Sequence, residues 1–455
     1  MRTAKSGSWR ELLGGRYAAV SVVLAGGVLV EASNVYLTTS LLPSVVAEIG
    51  GAQYYAWTMT AFLVASVITS MLVSRLLTTR GAVTSYVLAV LMFTAGTVVC
   101  AISPTMATFL IGRAVQGLGG GLLAGLGYAL IQRALPQRLW ARGGALVSAM
   151  WGVGNVLGPA VGGLFGQLGA WRLAFAVLAA VALALVALAV RAIPRTATGP
   201  SATPIPFGSL VLLTAAVAAV SLASIVSGIA TASAIVVGVV LVAWFLRHER
   251  TGRASVLPKV AFDVRSPLRW VYVTVVALAF GLGTEAFIPL FGQKIGVLPP
   301  LAAGFLGAAL SLGWSVTQML SANATTARSV RTLVIVGPAA LAAGLVGYGA
   351  LQDTTSAGVV AWFAVLFVAG SGIGMAFPHL TVAALGATDD EEEGAKAAAG
   401  INTVLIIANA FSTAAAGVLV NLGTDIVASA HHLMFGFAVA VVLGVFPAMA
   451  SMRRP

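Results

Sequence analysis

Apolar residues occupy this chain in long, nearly uninterrupted runs, separated by short segments that hold most of the Arg, Pro, Ser and charged positions. The alternation of period two that marks a half-buried strand is missing, and each run is about 17–25 residues long, the length a helix needs to cross a bilayer. The pattern predicts fourteen such helices, near 18–42, 54–74, 83–102, 106–131, 144–166, 172–191, 207–227, 230–246, 269–292, 300–321, 331–350, 357–380, 396–420 and 432–451. The run from Ala18 to Leu42 contains one charge, Glu31, near its middle. A carboxylate at the centre of a bilayer costs about 3 kcal/mol on insertion scales, so Glu31 requires a compensating role.

Composition makes the membrane assignment firm. Hydrophobic residues are 59% of the 455 and charged residues 8%, against roughly 25% in soluble chains. So few charges cannot cover the surface of a soluble protein of this size. The basic, polar start "MRTAKSGSWRELLGGR" is followed by a full-length apolar run, so a cleavable signal peptide is not expected. The lone cysteine, Cys100, excludes an internal disulfide and a multi-cysteine metal site, and a buried inert thiol is expected.

The net charge of +12 invites a nucleic-acid partner, but its distribution removes that option. With the N-terminus inside, 22 of the 25 Lys and Arg residues fall in cytoplasmic segments; Arg172 and Lys294 lie outside and Arg113 lies within a span. The basic balance therefore sets topology: both termini cytoplasmic, in a bacterial cytoplasmic (inner) membrane. Eleven of the thirteen acids map to termini, loops or span ends, including the run "TDDEEE" at 388–393, which reads as a solvated loop. Glu31 and Glu285 are the two that lie well inside spans.

The expected architecture is an all-α integral membrane protein with two pseudo-symmetric six-helix bundles and two inserted helices. Its parts are 1–195, an inserted pair with a cytoplasmic linker over 196–266, and 267–455. Such repeated halves are common in secondary transporters, whose sites lie near the midplane at the repeat interface. Glu31 falls on the first helix of the first bundle and Glu285 on the first helix of the second, which would put them on opposite walls of one cavity. Pro289, one turn after Glu285, loosens the local backbone hydrogen bonding.

Two stretches carry more specific signals. "GRAVQGLGGGLLAG" (112–125) sets Arg113 and Gln116 on one helix face, followed by Gly117, Gly119, Gly120, Gly121 and Gly125, which allow close helix approach. These glycines follow no strand and form no complete dinucleotide fingerprint. "GVGNVLGPAVGGLFG" (152–166) repeats Gly154, Gly158 and Gly162 every four residues, with Pro159 supplying a bend.

On these residues the chain resembles the major facilitator superfamily, most sharply from Gly112 to Phe175. "RAVQG" is similar to the fourth-helix motif whose arginine is associated with proton coupling, and "GVGNVLGPAVGG" to the fifth-helix antiporter motif of exporters. Fourteen spans with an extra central pair look like the fourteen-helix drug:proton antiporter group. The resemblance departs at "SRLLTTRGAV" (74–83), where Thr78 stands for the family's loop aspartate and Ala82 and Val83 for basic residues. It departs again on the first helix, where the usual aspartate position is Asn34 and the carboxylate, Glu31, lies one turn earlier.

The resemblance implies a proton-coupled exporter of amphipathic or lipophilic compounds, cations among them, working by alternating access as a monomer, with protons as coupling ion and no cofactor or metal. A carboxylate that carries a proton through the apolar part of its cycle is neutral there, which offsets the cost of burying it. The proton-coupling candidates are Glu31, Glu285 and Arg113. The cavity candidates are Asn34, Tyr36, Gln116, Asn155, Trp314, Gln318, Asn402 and Asn409, with Trp57 a further polar group; Gly154, Gly158, Pro159 and Gly162 are packing positions on either view. His379, beside Pro378, is expected as a loop or interface histidine. Export or flipping of a lipid or glycolipid is the alternative. A membrane enzyme is disfavoured, because no nucleophile–base pair or metal-ligand cluster is present in the sequence.

Overall fold

A computed structural model describes residues 8–195, 198–199, 205–252, 255–263, 266–351, 357–388 and 391–452. Arg2, Lys5, Arg253, Arg265, Arg453 and Arg454 of the predicted cytoplasmic charge, and Asp389 and Asp390 of the acidic run, lie outside the described residues. Among the described residues the chain is helical throughout and contains no strand. In chain order the first helices are α1 (Trp9–Leu12), α2 (Ala18–Ile49), α3 (Tyr55–Ser70), α4 (Val73–Arg80), α5 (Ala82–Ala101), α6 (Met106–Ala129), α7 (Ile131–Ala134), α8 (Trp140–Gln167) and α9 (Trp171–Ala192). There follow α10 (Phe207–Ala223), α11 (Ile229–Thr251), α12 (Leu268–Glu285), α13 (Ile288–Lys294), α14 (Pro300–Ser321) and α15 (Ala327–Ala350). The last are α16 (Ala357–Leu385), α17 (Glu391–Asn421), α18 (Ile426–Leu443) and α19 (Val445–Ser451).

Every predicted apolar run falls on a helix, but not all are straight spans. Among the described residues twelve helices are long and apolar enough to cross a membrane, and a thirteenth if α3 and α4, which meet at a 50° bend, count as one. α10 is a shorter apolar helix of 17 residues. The segment 74–83, expected as a loop, is largely the helix α4, because Val73 and Leu77 recur four apart and both are buried. Gly81, at φ 78°, then provides the left-handed turn that starts α5.

Apolar side chains are exposed on the outside of the helices to an extent no aqueous protein tolerates. Val236, Val239, Val240 and Trp244 of α11 are each about 60% exposed, which fits hydrocarbon as the solvent. Inside such a solvent the hydrophobic effect does not drive helices together, so association relies on close packing of small residues and on hydrogen bonds.

The chain divides into two compact units, residues 1–51 with 61–205, and residues 52–60 with 206–455. In the first unit α2 packs on α8, and α5 packs on α6 and α9, around a core that includes Leu24, Val28, Tyr86, Phe93 and Leu123. In the second α12 packs on α17, and α15 packs on α16 and α18. The tip 52–60 belongs to the second unit: Trp57 donates its indole N–H to the Ser221 carbonyl at 3.1 Å, and Tyr55 stacks on Phe287 with centroids 5.0 Å apart.

Candidate functional site

In the first unit the polar candidates converge on Arg113. Glycine brings the helices into place. A Cβ on Gly117 would lie 2.2 Å from the Phe62 carbonyl oxygen, one on Gly121 2.1 Å from that of Ser66, and one on Gly96 2.2 Å from the Gln116 nitrogen. α6 is thus held against α3 on one side and α5 on the other, at a separation no larger residue permits. The Ser66 hydroxyl adds a bond to the Gly117 carbonyl at 3.0 Å.

The guanidinium of Arg113 is fully buried in this wedge. It donates to the Asn34 side-chain oxygen at 3.3 Å and to the Gln116 side-chain oxygen, and lies 4.4 Å from the centroid of the Phe62 ring. Both amides therefore turn their carbonyls toward the cation, and the rest of each neighbourhood follows from that orientation. Gln116 donates its amide N–H to Thr97 Oγ1 at 2.7 Å, and the Thr97 hydroxyl donates to the Phe93 carbonyl at 2.7 Å. Thr38 donates to Asn34 Oδ1 at 3.4 Å. Amide dipoles and a ring face solvate the charge here, in a region where an unsolvated cation would cost many kcal/mol.

Glu31 stands one turn before Asn34 on α2 and is 5% exposed. Its stem lies against α6, since a Cβ on Gly120 would sit 3.4 Å from Glu31 Cγ and 2.9 Å from the Phe62 ring. Its Oε2 is buried without a hydrogen-bond partner among the described residues. The glycines of α8 bring that helix onto the opposite side of α2: Cβ atoms on Gly154, Gly158 and Gly162 would meet Ala32, Tyr36 and Leu37 at 2.6, 2.5 and 2.7 Å. Asn155, between them, is buried with neither side-chain polar atom partnered among the described residues.

The second unit arranges its polar groups more loosely. Glu285 is the last residue of α12, the helix breaks at Ala286–Phe287, and α13 restarts with Pro289 in its first turn. Its carboxylate accepts a hydrogen bond from the Ser311 hydroxyl. Trp314 donates to Gln318 Oε1 at 2.7 Å and packs edge-on against Phe377 at 5.6 Å. Asn402 is exposed, and Asn409 keeps a buried Oδ1 without a partner among the described residues. No three His, Cys, Asp or Glu side chains group as metal ligands among the described residues.

Phe62, Ser66 and Thr97 were not singled out in the sequence. A Phe or Thr in an apolar helix carries no periodic signal; only the glycine faces opposite them hinted at what they touch.

The geometry can be set beside known proteins. The model of the Major Facilitator Superfamily matches residues 24–418. A probable multidrug-efflux transporter of Mycobacterium tuberculosis is 43% identical over 463 residues, covering 99% of this chain and 98% of its own. Multidrug resistance protein 3 of Bacillus subtilis is 22% identical, covering 81% of this chain and 74% of its own. Among solved structures, a D-xylose–proton symporter superposes with a TM-score of 0.69 at 15% identity, covering 95% of this chain and 97% of that one, a likeness of fold alone. The chain belongs to the Major Facilitator Superfamily, and it is a transporter rather than an enzyme.

Proposed function

We propose that this protein is a proton-coupled antiporter that exports amphipathic and lipophilic compounds, cations among them, from the cytoplasm of a bacterial cell. The observation that carries the reading is a buried carboxylate oxygen, Glu31 Oε2, without a partner among the described residues, one helical turn from Asn34, whose side-chain oxygen accepts from the buried Arg113. The carboxylate is thereby kept out of water close to a polar network, where it can gain or lose a proton in step with the cavity's access to either side. Full-length similarity to a probable multidrug-efflux transporter supports the outward direction and the substrate class.

In this mechanism Glu31 exchanges a proton for substrate, Arg113 biases that exchange through Asn34, and Glu285 contacts the cationic part of the cargo. Tyr36 and Asn155 in the first unit, and Trp314, Gln318, Asn402 and Asn409 in the second, are the aromatic and amide groups assigned to cargo contact. The close packing of Gly154, Gly158 and Gly162 on α2 makes α8 the surface over which the Glu31 helix is held. The fourteen-span count, with α3–α4 as one bent span and α10 as the shortest, the inserted pair α10–α11 and the inside location of both termini belong to the same proposal. The recurrence of equivalent helix pairs in the two units supports its repeat organisation.

The test is transport of a fluorescent lipophilic cation by the purified protein in liposomes. Uphill movement driven by an imposed pH gradient and abolished by a protonophore is the expected result. Movement that ignores the gradient removes proton coupling, and movement of fluorescent lipid with no movement of the cation replaces the substrate class with lipid.

A further inference from the structure

A second polar feature lies far along the chain from either glutamate. Where α14 ends and α15 begins, a cavity of about 310 Å³ is lined by Ala322, Ala324, Thr325, Val330, Pro378, His379 and Val382. His379, on α16 one residue after the in-helix Pro378, is 7% exposed. Its imidazole makes a backbone hydrogen bond with Ser321, while Nε2 is buried with no partner among the described residues. With one ring nitrogen donating to a carbonyl, the other in the neutral ring is an acceptor. It waits for a hydroxyl or another N–H.

The remaining surroundings favour an anion. Thr326 caps α15, its hydroxyl accepting from the Ser329 N–H at 3.2 Å, so the positive end of a 24-residue helix dipole opens beside Thr325. Arg328 and Arg331 stand exposed in the first two turns of that helix. The mouth is apolar: Val382 is 68% exposed, and Leu385, one turn on along α16, is 53% exposed. A hydroxyl donor for His379, a negative charge for the start of α15 and hydrocarbon for the mouth are the three parts of one molecule.

We infer that this cavity binds the headgroup of an anionic phospholipid whose polar end carries free hydroxyls, a phosphoglycerol, with the hydroxyl on His379 Nε2, the phosphate at the start of α15 and the acyl chains along Val382 and Leu385. The cavity lining holds none of the residues proposed for transport, although it begins one turn beyond Gln318 on α14.

Native mass spectrometry of the purified full chain, titrated with phosphatidylglycerol or phosphatidylcholine of the same acyl chains, tests this. The wild type is expected to hold phosphatidylglycerol about tenfold more tightly than phosphatidylcholine, the value of one buried hydrogen bond plus a charge. His379→Phe is expected to remove that preference, and Val382→Trp, a surface change that fills the mouth and spares the fold, is expected to weaken both lipids. Equal affinity for the two lipids, a preference that persists in His379→Phe, or undiminished binding of both lipids in Val382→Trp overturns the assignment. Competition by glycerol phosphate or inorganic phosphate as strong as that of the lipid also overturns it, in favour of a soluble anion.

Discussion

Glu31, on α2 of the first unit, and Glu285, at the end of α12 in the second, have surroundings that differ in kind. Glu31 sits on an unbroken 32-residue helix, one turn from Asn34, whose side-chain oxygen accepts from the buried Arg113. Glu285 sits at a helix end, held by the Ser311 hydroxyl, next to a break and a seven-residue helix. A carboxylate inside a continuous helix next to a polar network suits repeated exchange of a small ion. One at a helix break, where backbone groups are less regularly paired, suits contact with cargo.

The sharpest way to break this contrast is to remove the cation that organises the first half. Arg113→Leu leaves the Gln116 oxygen without its donor and the Asn34 oxygen with only the long bond from Thr38, a cost of about 1–3 kcal/mol for the orphaned acceptor. A large drop in the thermal midpoint together with loss of gradient-driven transport is expected. An unchanged midpoint would mean that the network contributes little to the first unit.

Packing gives the next effect. Gly158→Val must push against Tyr36 Cβ and the Ser33 carbonyl, which a Cβ alone would approach to 2.5 and 2.8 Å. A destabilisation of about 1–3 kcal/mol is expected from such overpacking, read by thermal unfolding in detergent. Gly152→Ala on the same helix faces open space and is expected to stabilise by about 0.5–1 kcal/mol through helix propensity. Equal effects from both would show that the α2–α8 contact is looser than described.

In the second half, Ser311→Ala removes one hydroxyl from Glu285 and is expected to cost about 1 kcal/mol. Substrate affinity should change while the pH-gradient dependence of transport stays as in the wild type. A shift in that dependence instead would move the coupling role toward Glu285.

The smallest effect is at the surface, where Arg138 donates to Glu11 at 2.6 Å and holds its carboxyl below the usual carboxylate range. A depressed carboxylate contributes stability at pH values above its unfolded pKa, and the contribution disappears as pH falls through the folded value. Glu11→Gln is therefore expected to lower the midpoint slightly at neutral pH and to match the wild type in strong acid. A difference that grows on acidification would contradict the pairing.

Much of this contrast was legible before any coordinates. Buried charge is so costly in hydrocarbon that Glu31, Glu285 and Arg113 stood out by composition alone, and four-residue glycine spacing marked the faces of α6 and α8 that pack most closely. The α3–α4 bend and the helical state of Val73–Arg80 were not legible, because a bend in mid-span leaves hydropathy unchanged. The partners of Arg113 were half legible. Gln116 lies three residues away on one helix, whereas Asn34, Phe62 and, through Gln116, Thr97 reach the network across helix contacts that no local period encodes.

The measurement that tests the central claim most directly compares Glu31→Gln with Glu285→Gln in proteoliposomes, following both uphill transport under a pH gradient and substrate counterflow without one. Glu31→Gln is predicted to lose uphill transport while retaining counterflow, and Glu285→Gln to lose affinity for cationic substrate in both assays. Gradient-driven accumulation that survives intact in Glu31→Gln would contradict the account.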